Sequence, residues 1–188
     1  WSIVFRIAAH DDMVLALAWA EAARVLVSAS EDGSVALWNA DTGSLRQDRL
    51  QVPGWVGGVL VDADARWVSA CGGTTEPGGW VVSYHVESSA NSLLYSLKTG
   101  APARCLAVKD RRELLVGCDE STLRSFALRD GEQPIRSIAL KTRSTFAIAL
   151  ASPPADLDES DALIVDDDLG ATQLLFASGA SPFIDVCS

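Results

Sequence analysis

The stretch AHDDMVLALAWAEAARVLVSASEDGSVALWNADTG, residues 9–43, places three short apolar runs in quick succession. They extend from Met13 to Trp19, from Arg24 to Ser30 and from Ser34 to Trp38, with Glu31-Asp32-Gly33 between the last two. Short runs rich in Val, Leu and aromatics and bounded by Gly, Asp and Ser read as strands joined by tight turns. SLRQDRL, from Ser44 to Leu50, adds a fourth run, so the unit reads as a four-stranded meander.

The same order recurs along the chain. RVLVSAS at residue 24, RWVSACG at 66, ELLVGCD at 113 and DALIVDD at 161 each have a charged residue leading an apolar run into small or acidic residues. Their spacing lies near the roughly 40 to 45 residues of propeller units built from four strands. Around the second anchor stand WVGGVLV from Trp55, WVVSYHV from Trp80 and SLLYSLK from Ser92, with CGGTTEPGG widening one turn. The third unit offers ARCLAV from Ala103, TLRSFAL from Thr122 and PIRSIAL from Pro134. The fourth offers TFAIALA from Thr145, the Asp161 run as its second strand, ATQLLFA from Ala171 and SPFIDVC from Ser181, with the Pro-bearing SPPADLDES ahead of Asp161.

These units predict an all-β chain with about four propeller blades, at 8–50, 51–98, 99–141 and 142–188. WSIVFRI, residues 1–7, has no sister strands before it and reads as the outer strand of a preceding blade. The expectation is therefore a segment of a larger, seven-bladed ring. A closed four-bladed ring would leave that strand unexplained.

Composition narrows the function. Of 188 residues, 25 are acidic and 15 basic, a formal charge of −10, which works against the phosphate attraction that supports nucleic-acid binding. Contact with RNA is expected to be indirect at most. The densest basic cluster, Lys109, Arg111 and Arg112, is broken by Asp110 and Glu113, and no apolar run approaches the length of a bilayer span, so no membrane partner is expected. Cys71, Cys105, Cys118 and Cys187 sit singly in apolar runs, with neither zinc-site spacing nor the density of a disulfide scaffold, and read as reduced intracellular core thiols.

With Ala9-His10, Trp38-Asn39 and the Asp32 turn between them, the first unit resembles the WD40 repeat, Ala-His standing for Gly-His and Trp-Asn for Trp-Asp. The resemblance implies that His10, Ser28, Asp32 and Trp38 form the structural tetrad of that family, a hydrogen-bond chain that stabilises only when every member is satisfied. The other units lack both signatures. The order WVGGVLVDADARWVSACGG, then ESSANSLLYSL, then DLGATQLLFASGASPFIDVCS is similar to the later blades of the sixth-subunit family of the THO complex, through Trp55, Gly57, Asp64, Trp67, Gly72, Gly73 and Gly170. That resemblance implies a non-catalytic nuclear scaffold in the THO/TREX assembly coupling messenger RNA transcription and processing to export, with other THO subunits as partners. The alternative is the substrate receptor of a cullin-type ubiquitin ligase. Members with that role carry an Arg shortly after Trp-Asp, where this chain has Asp41.

Other chemistry reads weakly. Asp166, Asp167 and Asp168, with Asp156, Asp158, Glu159 and Asp161 upstream, lack the alternating spacing of a calcium loop, and a tight turn explains Asp-Asp-Asp-Leu-Gly better than a metal does. His85 has no second histidine nearby, Cys71 has no adjacent base, and His10 with Asp32 and Ser28 has triad residue types in the setting of a structural network. The inner strands MVLALAW, WVGGVLV, ARCLAV and TFAIALA carry no acid or histidine, which argues against an enzyme built around the channel, and no metal, cofactor or small-molecule substrate is expected. Trp19 and Trp67 read as packing residues. Trp55 and Trp80, which flank glycines, are candidate interface anchors.

Overall fold

The computed structural model describes residues 6–86, 91–109, 113–120, 122–127, 134–140, 145–151, 174–179 and 184–187. Every regular element among them is a β-strand. The first sheet takes β1 (Val14–Ala20), β2 (Val25–Ser30), β3 (Ser34–Asn39) and β4 (Leu50–Gln51) in chain order. The second takes β5 (Trp55–Val61), β6 (Trp67–Gly73), β7 (Gly79–Val86) and β8 (Asn91–Lys98), and the third takes β9 (Ala103–Lys109), β10 (Glu113–Cys118), β11 (Thr122–Ala127) and β12 (Arg136–Ala139). The fourth is three-stranded, β13 (Thr145–Ala151), β14 (Leu174–Gly179) and β15 (Ile184–Cys187). All pairings are antiparallel, and successive sheets touch through their first strands, β1 on β5, β5 on β9 and β9 on β13. This is a partial β-propeller.

Local chemistry sets the turns. Gly33 takes a positive φ of 79° between β2 and β3, a conformation that carries no penalty without a Cβ. Between β5 and β6, Asp62 Oδ1 accepts hydrogen bonds from the backbone N–H groups of Arg66 at 2.7 Å and Trp67 at 2.8 Å, a side-chain bridge across the turn that closes the hairpin.

One irregularity repeats in all four sheets. The ladder between first and second strands slips between Val14 and Ala16, between Val56 and Gly58, opposite Gly117 and Cys118, and between Thr145 and Ala147. Each slip inserts one extra residue, at Leu15, Gly57, Arg104 and Phe146. A bulge bends its strand and re-aims the side chain it carries. It also fixes a common register, in which Leu17, Val59, Leu106 and Ile148 are equivalent, paired with Ser28, Ala70, Val116 and Ala177.

The core lies between sheets. Val27, Ala29, Val35 and Leu37 of the first sheet pack with Val56, Val59, Val68, Ala70, Trp80 and Val82 of the second. Cys71, Val81 and Leu97 of the second pack with Leu106, Leu114, Val116 and Phe126 of the third. Leu115, Leu123 and Leu140 continue the sequence with Ile148 against them. Alternation along each strand sends one set of side chains to the preceding sheet and the other set to the next.

The fourth sheet departs from the sequence reading. β13 pairs directly with Leu174–Gly179, the position assigned above to the Asp161 run. The run LLFASG resembles VLVSAS and LLVGCD in alternation and in its small-residue ending, which suits it to the second place. The Asp161 run, the three consecutive aspartates and SPPADLDES lie outside the described residues. So do residues 1–5 of WSIVFRI, and Arg6 and Ile7 are in no strand. SLRQDRL contributes only Leu50 to β4, with Leu45 making an isolated bridge to Trp38.

Candidate functional site

Two constellations lie at the end of the sheets where first strands begin and second strands finish. The inner one is a hydrogen-bond chain in the first sheet. Trp38 Nε1–H donates to Ser28 Oγ at 2.8 Å, and Ser28 O–H donates in turn to His10 Nε2 at 2.7 Å. On the other side of the ring, His10 Nδ1–H donates to Asp32 Oδ2 at 3.1 Å, with Ser34 Oγ at 2.9 Å from the same nitrogen. A carboxylate only accepts, so Asp32 fixes the proton on Nδ1 and leaves Nε2 to accept. The His10 side chain is fully buried, and Trp38 is buried beneath it.

Asp32 is the hub. Its Oδ1 accepts from the Ser34 hydroxyl at 2.6 Å and the Ser34 N–H at 2.9 Å, and its Oδ2 also accepts from the Asp11 N–H at 3.0 Å. Burial works against the charge, but the Ser34 hydroxyl, the Asp11 and Ser34 backbone donors and His10 together bring its pKa down to about 2. The structure thus brings His10, Ser28, Asp32 and Trp38 into one connected chain, and adds Ser34, which the sequence reading missed. With His10 enclosed and its partners all engaged, the group is arranged to hold the loop before β1 against the β2–β3 turn.

The outer constellation faces solvent. At this end, backbone hydrogen bonds close the edge of each sheet, Val52 N–H to the Gly33 carbonyl in the first (3.1 Å), Thr99 to Gly79 in the second (3.0 Å) and Asp119 to Pro102 in the third (2.8 Å), and the sheet ends make up a rim. Arg104, the bulge residue of β9, extends along it. Its guanidinium carbon lies 4.5 Å from the centroid of the Trp55 ring, and Nη2–H and Nε–H donate to Asp119 at 2.8 and 3.1 Å. Glycines make room for Trp55, since a Cβ at Gly72 would stand 1.8 Å from its backbone carbonyl oxygen and one at Gly73 2.5 Å from its ring. CGGTTEPGG therefore does more than widen a turn: its glycines seat Trp55. Exposed Asp11, Asp12, Glu31, Glu76 and Glu120, in the turns at this end of the sheets, give the rim an acidic character.

The remaining tryptophans divide differently from the sequence reading. Trp80 is 4 % exposed, sits in the core between the first two sheets and donates Nε1–H to the Gly73 carbonyl at 3.2 Å, so its ring is closed to a partner. Trp19, expected to pack, is 43 % exposed and donates its indole N–H to Glu21. Trp55 is half-buried under Arg104, and Trp67 is half-buried at the start of β6. His85, half-buried on β7, lies opposite Trp67.

Cys71, Cys105 and Cys118 are buried. Burial pushes all three thiols up, Cys105 to about 12, so none is a thiolate nucleophile near neutral pH. Among the described residues, no three His, Cys, Asp or Glu side chains are grouped to hold a metal ion, and no helix is long and apolar enough to cross a membrane.

No curated protein matches the chain. WD40 repeats act in general as platforms for protein–protein interaction, and the repeat found here points to a role of that kind. The family described as WD domain, G-beta repeat, matches residues 1–39, ending one residue past Trp38, so the segment that holds His10, Ser28 and Asp32 is a WD40 repeat within a partial β-propeller.

Proposed function

We propose that the chain is a scaffold whose acidic rim receives positively charged segments of partner proteins, within a nuclear assembly of THO/TREX type. The observation that supports it most is the WD40 repeat at residues 1–39 beside a rim carrying Asp11, Asp12, Glu31, Glu76 and Glu120. An acidic, strand-end surface attracts basic protein segments and repels phosphate backbones, which suits a subunit that holds protein neighbours. The THO component of the reading rests on the similarity of residue order described above. The cullin-receptor alternative gains nothing from Asp41, which ion-pairs with Arg24 at 2.7 Å at the opposite end of the first sheet.

The test is affinity purification of the protein from its own cells after nuclease treatment, with mass spectrometry of what accompanies it. Recovery of THO subunits in fixed ratio supports the reading. A cullin adaptor in their place replaces it, and absence of any stable partner overturns the scaffold role.

A further inference from the structure

Arg24 is matched to Asp41 at 2.7 Å and Arg104 to Asp119 at 2.8 Å. Arg124 of β11 has no such partner. It is half-buried, and its Nη1–H donates to the Cys118 sulfur at 3.8 Å, a weak acceptor. Among the described residues no carboxylate lies within ion-pairing distance of it, and Nη2 meets no acceptor. A partly buried cation gives up hydration that nothing here replaces.

The same guanidinium borders the loop between β8 and β9. Nη1 and Nη2 stand 3.5 and 3.7 Å from the point that a Cβ on Gly100 would occupy, so glycine there leaves them uncovered. Gly100 is exposed, with a φ of 76°. Thr99 is engaged within the loop, its N–H donating to the Gly79 carbonyl at 3.0 Å and its hydroxyl to the Ala101 carbonyl at 2.7 Å. The N–H groups of Gly100 and Ala101 meet no acceptor among the described residues, although Ala101 is 1 % exposed. Buried backbone donors nearly always have a partner, and successive N–H groups around a left-handed residue make a concavity that favours an anion. Exposed Lys98, two residues before Gly100, adds a second cation.

We propose that Arg124, Lys98 and the Gly100–Ala101 backbone form a seat for a carboxylate of a partner protein, carried by an acidic side chain or by a chain terminus. A guanidinium presents paired N–H groups that match the two oxygens of a carboxylate. The chain's charge of −10 opposes a doubly charged phosphate more than a singly charged carboxylate. The proposal rests on the scaffold reading and deepens it: the acidic rim draws the basic part of a segment, and the seat fixes its register through the acid.

The test is NMR titration of the 188-residue chain with acetyl-Lys-Glu-Lys-amide, with acetyl-Lys-Ala-Lys bearing a free C-terminus, and with acetyl-Lys-Gln-Lys-amide, read at the Arg124 side-chain N–H and the Gly100 and Ala101 amides. The expected result is saturable binding of a carboxylate peptide at these groups, at least about tenfold tighter than the Gln peptide despite its lower positive charge, and lost in Arg124→Gln. Tighter binding by the Glu peptide assigns a side-chain source, and by the free acid a terminal one. Lys98→Gln, at an exposed position, is expected to weaken binding several-fold and serves if Arg124→Gln does not fold. Equal binding of all the peptides, with shifts confined to the acidic turns, overturns the seat and leaves the rim reading in place. Absence of a saturable shift at Arg124, or tighter binding there of inorganic phosphate than of either carboxylate, also overturns the proposal.

Discussion

Arg104 and Trp55 belong to neighbouring sheets, and the guanidinium of one lies over the ring of the other, its carbon 4.5 Å from the ring centroid, while it donates to Asp119 at 2.8 Å. The bulge in β9 makes this possible by turning Arg104 out of the strand alternation and along the rim. Replacing Trp55 by Ala removes the platform and opens a gap against Gly73, and is expected to cost about 2 to 4 kcal/mol. Arg104→Lys keeps the charge but loses the planar stack and the two-point contact with Asp119, and is expected to cost about 1 kcal/mol. Urea unfolding of the two variants checks both values.

Removing the hub of the buried chain leaves His10 and the Asp11 and Ser34 N–H groups without their acceptor. Asp32→Ala is expected to lower stability by about 1 to 3 kcal/mol, and unchanged thermal unfolding would count against the network as a stabilising element.

The same carboxylate sets an acid limit. Its pKa is held at about 2 in the folded chain, below the 3.8 of a free aspartate. The stabilisation is therefore fully present above pH 5 and is lost as pH falls toward 2, by on the order of 1 to 2 kcal/mol. Unfolding of the wild type should weaken over that window, and the Asp32→Asn variant should show a smaller slope there.

Trp80 and Trp19 should behave oppositely. Trp80→Ala empties a core site between two sheets and is expected to cost about 3 to 5 kcal/mol, whereas Trp19→Ala, on an exposed face, should cost less than about 1 kcal/mol. Chemical unfolding of the pair decides the assignment.

Glu120 follows β10 with a positive φ of 70° and an exposed side chain. Glycine takes that conformation without a Cβ clash, so Glu120→Gly is expected to raise stability by up to about 1 kcal/mol, read as a higher melting temperature.

The sequence made the strands and their order in the first three sheets legible because each sheet is a local meander, so alternation and turn residues act over short distances. His10, Ser28, Asp32 and Trp38 were legible through resemblance to a repeat, and the structure joins them by hydrogen bonds. Ser34 was not, because its role depends on the turn placing its hydroxyl beside the Asp32 carboxylate. Arg104 escaped notice for a similar reason: nothing in ARCLAV marks a bulge, and the Trp55 partner lies in another sheet. Trp19 and Trp80 were read from flanking residues, whereas their burial depends on which sheet faces them. In the fourth unit, two runs of similar composition, DALIVDD and QLLFASG, competed for the second strand, and alternation could not rank them.

The most direct test of the interaction role is to reverse the rim. Asp11, Glu31, Glu76 and Glu120 are exposed and lie outside the buried chain of side chains, so changing all of them to Lys should leave the fold intact. Partner recovery from the protein's own cells would be compared between this variant and the wild type by quantitative mass spectrometry after nuclease treatment. The account predicts that proteins recovered in fixed ratio with the wild type fall at least about tenfold with the variant. Equal recovery of the same proteins by both chains would contradict it.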